Sequence, residues 1–274
     1  MDDFASLSRL VAALAPWRGQ LVIVGGWAHR LHRLHPLAGM PAYQPLMTKD
    51  TDLAFADGVP LEGNIRSALI AAGFGEELSG DHKPPVSKYT LGDDDAGFYA
   101  EFLTPLRGSG VKRSGKADAT LLMAGITAQK LRNLEILLLD PWPIRHQAWR
   151  GNRAARADNR IDVQVCNPVS FIAQKMLIHG DRKPVKRAQD ILYIHDTIEL
   201  FAAASEQLKD EWMKVVRPAL DEQSAKLVTE NTRQLFSGVT DLIRQAVLIP
   251  RDRNLTPEIL RARCELGLAQ MFSL

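Results

Sequence analysis

Apolar residues recur at helical spacing from the start of the chain. Phe4, Leu7, Leu10, Val11 and Leu14 follow the acidic pair Asp2-Asp3 and stop at Pro16, which predicts an amphipathic first helix. The rhythm then shortens: Gln20 to Val24 is a β-branched run closed by Gly25-Gly26, and Trp27 to His35 reads as a helix halted before Pro36. Pro36, Gly39, Pro41 and Pro45 make residues 36–47 a loop, because proline removes a backbone donor and breaks helices. That loop leads into a strand over Lys49–Ala56, ended by Asp57-Gly58. Ile65, Leu69 and Ile70 mark a helix ending at Gly73, and Ser87–Leu91 with Gly97–Leu103 flank Gly92-Asp93-Asp94-Asp95 as a hairpin. Further strands are expected at Ile136–Ile144 and Ile161–Val165.

From Pro168 onward the periodicity is helical: Phe171 to Ile178, Ile191 to Phe201, Trp212 to Leu220, Leu235 to Leu248 and Ile259 to Met271. The expected architecture is therefore α/β over residues 1–166, a mixed sheet flanked by helices, followed by a helical domain over 167–274. The 274 residues, with 46% hydrophobic and 24% charged, exclude a disordered, collagen-like or disulfide-scaffold chain. Cys166 and Cys264 stand far apart, without a Cys-x-x-Cys motif or a Cys/His cluster, so neither a zinc site nor an oxidised framework is indicated. No apolar run approaches the ~18 residues needed to span a bilayer, and the start Met1-Asp2-Asp3 lacks a secretory pattern. A cytoplasmic protein without membrane partners is expected.

Charge changes the picture. Residues 107–190 hold 16 Lys and Arg against 7 Asp and Glu, although the whole chain carries only +2. Such a block raises the local concentration of polyanions or phosphorylated ligands; a solvated basic face is the alternative. Within it, Arg107-Gly108-Ser109-Gly110-Val111-Lys112-Arg113-Ser114-Gly115-Lys116 is basic and glycine-rich, suited to cover a triphosphate or an RNA acceptor. It does not match the phosphate-loop pattern, since Ala117 follows Lys116.

The sharpest chemistry is Thr48-Lys49-Asp50-Thr51-Asp52-Leu53. Asp50 and Asp52, two apart in a strand, must project from one face. At ~5 Å and an effective dielectric of ~20 they repel by about 3 kcal/mol, so a buried pair calls for a cation or a raised pKa. Oxygen ligands of this kind suit Mg²⁺ completed by substrate phosphates. Exposed strand positions are the alternative. Gly25-Gly26, between a strand and a helix, lets backbone approach a phosphate at the helix N-terminus; a tight turn is the plainer reading. Glu101 lies in Phe98-Tyr99-Ala100-Glu101-Phe102-Leu103, where a carboxylate is costly to bury unless paired or coordinated. If its strand neighbours Lys49–Ala56, it joins Asp50 and Asp52 in a two-ion arrangement for phosphoryl transfer. Asp93, Asp94 and Asp95 read as a solvated hairpin tip. His29, His32 and His35 read as a polar helix face rather than a metal face.

Together, Gly25-Gly26, Asp50-Thr51-Asp52 and the apolar-flanked Glu101 resemble the signature of the polymerase-β-like nucleotidyltransferase superfamily over about residues 20–104. Trp27-Ala28 also looks like antibiotic-modifying nucleotidyltransferases. The downstream residues Val163-Gln164-Val165-Cys166-Asn167-Pro168, Lys175, the basic Gly180–Lys186 loop and Asp190 look most like the AbiEii-type nucleotidyltransferases, many of them toxins of toxin–antitoxin pairs. The interval from Gly26 to Asp50 is longer than the commonest form, and the third carboxylate is Glu rather than the frequent Asp.

The resemblance implies NMP transfer from an NTP to an acceptor with release of pyrophosphate. Asp50, Asp52 and Glu101 are then the catalytic and metal-binding residues for Mg²⁺, with Mn²⁺ as the alternative ion. Gly25, Gly26, Lys175, Lys186 and Asp190 are the nucleotide-binding residues; Asp190 is alternatively the i,i+4 partner of Lys186. The implied partners are NTP, an RNA or tRNA acceptor and an antitoxin protein. Two other readings are a catalytically silent binding module of the same fold and an antibiotic-type enzyme acting on a small molecule.

Overall fold

The computed structural model describes residues 3–81, 83–92, 97–147 and 160–274. The chain divides into two compact units, residues 1–28 with 47–166 and residues 29–46 with 167–274. The protein is a mixed α/β chain whose central mixed sheet is flanked by helices and followed by a helical C-terminal region.

The first unit opens with α1 (Asp3–Ala13), then β1 (Val22–Val24), the start of α2 (Gly25–His32), β2 (Asp50–Ala54) and α3 (Ile65–Ala71). The strands β3 (Gly75–Ser79), β4 (Val86–Leu91), β5 (Phe98–Pro105), β6 (Thr120–Met123), β7 (Ile126–Leu131), β8 (Trp142–Gln147) and β9 (Arg160–Val165) complete it. The sheet runs β3-β4-β5-β2-β1-β9-β8, with β7 also paired to β5 and β6 to β7. β1 and β2 are antiparallel, whereas β2–β5 and β1–β9 are parallel. Alternation places Phe98, Ala100 and Phe102 in the core and leaves Tyr99 and Glu101 partly buried on the other face. Leu7 and Leu10 of α1 are buried, and α1 packs on β9 and α3. Trp27 has no exposed surface and meets the Phe4 and Phe98 rings edge-on at 5.5 and 5.8 Å, an arrangement that favours one fixed orientation of the indole.

The second unit holds α4 (Pro168–Ile178), α5 (Pro184–Leu200), α6 (Ser205–Glu211), a π turn over Trp212–Val216, α7 (Arg217–Ala219), α8 (Glu222–Phe236), α9 (Asp241–Val247) and α10 (Pro257–Phe272). Proline at the first helical turn and a side-chain cap start several of them. Asn167 accepts from the Ser170 N–H at 2.7 Å, Asp221 from Ser224 at 2.7 Å and Thr256 from Ile259 at 3.3 Å; each such cap is worth ~1 kcal/mol. α5 lies against α9 and α10, and α4 against α8.

The sequence reading ran residues 29–46 with the first domain, whereas this segment clusters with the helices. The Gly39 N–H donates to Leu200 O at 2.6 Å, the Tyr43 hydroxyl to Glu199 at 2.9 Å and the Gln44 N–H to Asp252 at 2.7 Å. His29 and His32 are fully buried, not a polar face. The His29 ring lies 4.9 Å from that of Tyr193 and 6.1 Å from that of Phe171, and the His32 ring 5.8 Å from that of Phe201.

Other differences are local. Glu135–Leu138 forms a 3₁₀ turn, so the expected strand from Ile136 starts only at Trp142. Leu235–Leu248 is two helices, parted at Ser237-Gly238. β3, β6 and β7 had no counterpart in the apolar pattern, their outer positions being polar or exposed. Asp93, Asp94 and Asp95 lie outside the described residues.

Candidate active site

β1 delivers the chain to Gly25 beside β2, with Val24 opposite Asp52 in the antiparallel register. Gly25 has φ +66°, and a Cβ there would stand 2.5 Å from Asp52 Oδ2. Any other residue is thus disfavoured twice, by the left-handed backbone and by the carboxylate. The same glycine begins α2, so the positive end of the helix dipole opens beside Asp52.

On β2 the burial alternates: Thr51 and Leu53 are buried, Asp50 and Asp52 only partly so. In the parallel pairing with β5, Asp50 stands opposite Tyr99 and Asp52 opposite Glu101. Side chains at paired positions share a sheet face, so the three carboxylates project together, with the Tyr99 ring among them. The Thr48 hydroxyl donates to Asp50 Oδ1. Lys88 of β4 pairs with Glu101 in register; its Nζ lies 4.1 Å from the centre of the Tyr99 ring and 3.8 Å from Glu77 Oε2.

The electrostatics follow this crowding. Burial first, and then the charge of Asp50, raise the Glu101 carboxyl above its ordinary range, with Lys88 opposing. Burial and then Asp50, Glu101 and Asp52 push the Tyr99 phenol up to about 12. The chemistry of this face suits a hard divalent cation: three carboxylates supply oxygen donors, and the charge of Asp50 adds to burial in raising Glu101. The trio is nonetheless open. Among the described residues, three ligating atoms converge within 4.8 Å of one another at His195, Asp196 and Glu199 on α5, and not at Asp50, Asp52 and Glu101.

The α5 group offers donors for a divalent ion, yet its oxygens are taken. Both Asp196 oxygens accept from Arg253 at 2.7 and 2.8 Å, His195 Nδ1 lies 2.9 Å from Asp196, and Glu199 accepts from Tyr43 at 2.9 Å and Arg263 at 2.6 Å. Burial works to raise Asp196, but His195 and Arg253 outweigh it and hold the carboxyl low. This is a buried network whose charges are matched.

The remaining expected site residues belong to the second unit. Lys175 is buried, bonds Asp190 Oδ1 at 2.5 Å and lies 4.6 and 4.9 Å from the centres of the Phe171 and Tyr193 rings. Burial alone would raise Asp190, yet Lys175 and Arg182, the latter at 3.0 Å, keep it below its ordinary value. Lys186 is exposed and its Nζ meets Gln189 at 3.4 Å. Asp190 is paired with Lys175 and Arg182, not with its i,i+4 neighbour Lys186. The structure thus brings Lys175 and Asp190 together and leaves Lys186 apart.

Sequence reasoning passed over Tyr99, Thr48 and Lys88. Tyr99 was findable, two residues before Glu101 in an alternating strand. The pairing of Asp196 with Arg253 spans 57 residues and left no local signal.

A family model described as nucleotidyltransferase matches residues 2–217. None of the curated proteins matches the chain.

Proposed function

Because the chain belongs to the nucleotidyltransferase family, we propose that it moves a nucleoside monophosphate from an NTP to an acceptor oxygen, with Asp50, Asp52 and Glu101 as its catalytic face. The acceptor oxygen bonds to the α-phosphorus, the bond to pyrophosphate breaks, and the acceptor proton leaves to solvent. The observation that supports this reading is the shared face of β2 and β5: Asp52 opposite Glu101, Asp50 one pleat away, and the Gly25 backbone against Asp52 Oδ2.

Asp50, Asp52 and Glu101 would hold Mg²⁺ or Mn²⁺, which when bound supplies Lewis-acid charge to the phosphates and favours deprotonation of the attacking oxygen. The chain's own contribution is positional. Gly25 and Gly26 admit phosphate oxygens to the N–H groups that open α2. Thr48 fixes one oxygen of Asp50, leaving the other directed by β2. Lys88 over the Tyr99 ring orders the edge of the face beside Glu101.

The acceptor in this reading is RNA, on the strength of the basic stretch over 107–190. The AbiEii-type likeness, with a toxin-like role and an antitoxin partner, rests on residues 163–190 alone. No helix among the described residues is long and apolar enough to cross a membrane.

The test is incubation of the whole chain with radiolabelled NTPs and total RNA, with and without Mg²⁺. Label entering RNA with stoichiometric pyrophosphate supports the proposal. Failure to bind NTP by calorimetry in the presence of Mg²⁺ leaves a silent binding module of the same fold.

A further inference from the structure

We propose that the lysine-lined pocket beside β6 grips a backbone phosphate of the acceptor RNA; this rests on the nucleotidyl-transfer reading above and adds to it the place where the acceptor strand is held. The pocket has a volume of about 270 Å³ and is walled by Asp81, Lys83, Lys112, Lys116, Ala119 and Thr120. Three lysines and one aspartate therefore line it. None of the three lysines is in an ion pair among the described residues, and the nearest acid on the loop, Asp118, is already matched by Lys130 at 2.8 and 2.9 Å. A concave site whose cations are left without counter-charges attracts phosphate.

The backbone of the walls is hydrogen-bonded before any ligand arrives. The Gly115 N–H donates to Lys112 O at 2.9 Å and the Lys112 N–H to Lys116 O at 2.8 Å, which closes a tight turn with a lysine on each leg. Below the turn, Asp118 N–H bonds Gly110 O at 2.8 Å, and Arg132 holds the carbonyls of Gly108 and Ser109 at 3.1 and 3.2 Å. On the other side, the Thr120 hydroxyl donates to Pro84 O at 3.1 Å, which ties the residue after Lys83 to β6. With the backbone held, the ordering cost of binding falls on the three lysine side chains.

Position then separates this pocket from the triphosphate. Thr120 pairs with Gln129, and Gln129 with Leu103, which lies two residues beyond Glu101. At ~3.3 Å per residue along β5 and ~4.8 Å per strand across it, the backbone of Thr120 stands about 12 Å from that of Glu101. That is too far to touch the phosphorus being transferred. It suits a strand whose reactive end lies at the carboxylates and whose backbone runs a few nucleotides back. Lysines hold phosphate as point charges without reading bases. Asp81, the acid in the wall, repels phosphate but accepts a hydrogen bond from a ribose 2′-hydroxyl, and only RNA supplies that donor.

The test reads binding without turnover, by fluorescence anisotropy of a labelled single-stranded oligoribonucleotide on the full chain over a range of salt. The triple variant Lys83→Ala, Lys112→Ala and Lys116→Ala alters exposed side chains only, and its fold is checked by circular dichroism. Its RNA affinity is expected to fall at least tenfold. Its slope of log affinity against log salt should drop by about 0.7, from the one lost phosphate contact. Its Mg²⁺-dependent NTP binding stays at the wild-type level, and Asp81→Ala narrows the preference for RNA over DNA of the same sequence.

Wild-type RNA affinity in the triple variant overturns the proposal. So does equal competition by DNA against the wild-type chain, or loss of inorganic phosphate binding in the triple variant with RNA binding untouched. A chain that binds RNA through these lysines but transfers no nucleotide contradicts the enzymatic reading and leaves the phosphate site standing.

Discussion

Gly25→Ala separates backbone strain from chemistry. A non-glycine residue at φ +66° costs ~1–2 kcal/mol, which at ~2–4 °C per kcal/mol lowers the melting temperature by about 2–8 °C. The added methyl would also stand 2.5 Å from Asp52 Oδ2, while atoms at ordinary contact lie ~3.5 Å apart, so the carboxylate must retreat by about 1 Å. A displacement of ~1 Å at a reacting centre can cost ~100-fold in rate. Gly108 is the control: its φ is +69°, with nothing within 4 Å of the position its Cβ would take. Gly108→Ala should share the thermal loss and leave the transfer rate at wild type. Release of labelled pyrophosphate from NTP, read beside melting curves, checks both. The reasoning is refuted if Gly25→Ala melts lower as expected but transfers nucleotide within threefold of wild type.

Further outcomes follow from the second unit. Lys175→Met leaves the buried Asp190 with only the half-exposed Arg182; a loss of about 3 kcal/mol in urea unfolding is expected, largely recovered when Asp190→Leu is added, because the cost lies in the orphaned charge. His29, fully buried, has its pKa lowered from 6.5 to about 3, chiefly by burial. The folded chain refuses a proton that the unfolded chain accepts, so this contribution is complete above pH 6.5 and erodes as the pH falls towards 3, by at most roughly 5 kcal/mol. His29→Leu should flatten the stability profile in that window; an unchanged profile contradicts the assignment.

Much of this was legible in the residues. Asp50 and Asp52 announced a shared face because a strand has a period of two, and Glu101 stood out as a charge in an apolar run. The glycine pair marked the turn, although the reason for Gly25, an oxygen where its Cβ would be, needed the neighbouring strand. What escaped the sequence depends on distant pairing. β6 and β7 carry polar outer positions and take their strand form from β5, and β3 takes its form from β4. His29 and His32 look polar but are buried by aromatic rings supplied from α4 and α5. Lys175 looked like a charge awaiting a phosphate until Asp190 was seen 2.5 Å away.

The central claim is that the β2–β5 carboxylates perform nucleotide transfer, and single-turnover transfer of labelled NMP by Asp50→Ala and Asp52→Ala tests it most directly. Both variants should fold as wild type, since these side chains are only partly buried, and should lose transfer by at least a hundredfold. Transfer at the wild-type rate in either folded variant would contradict it.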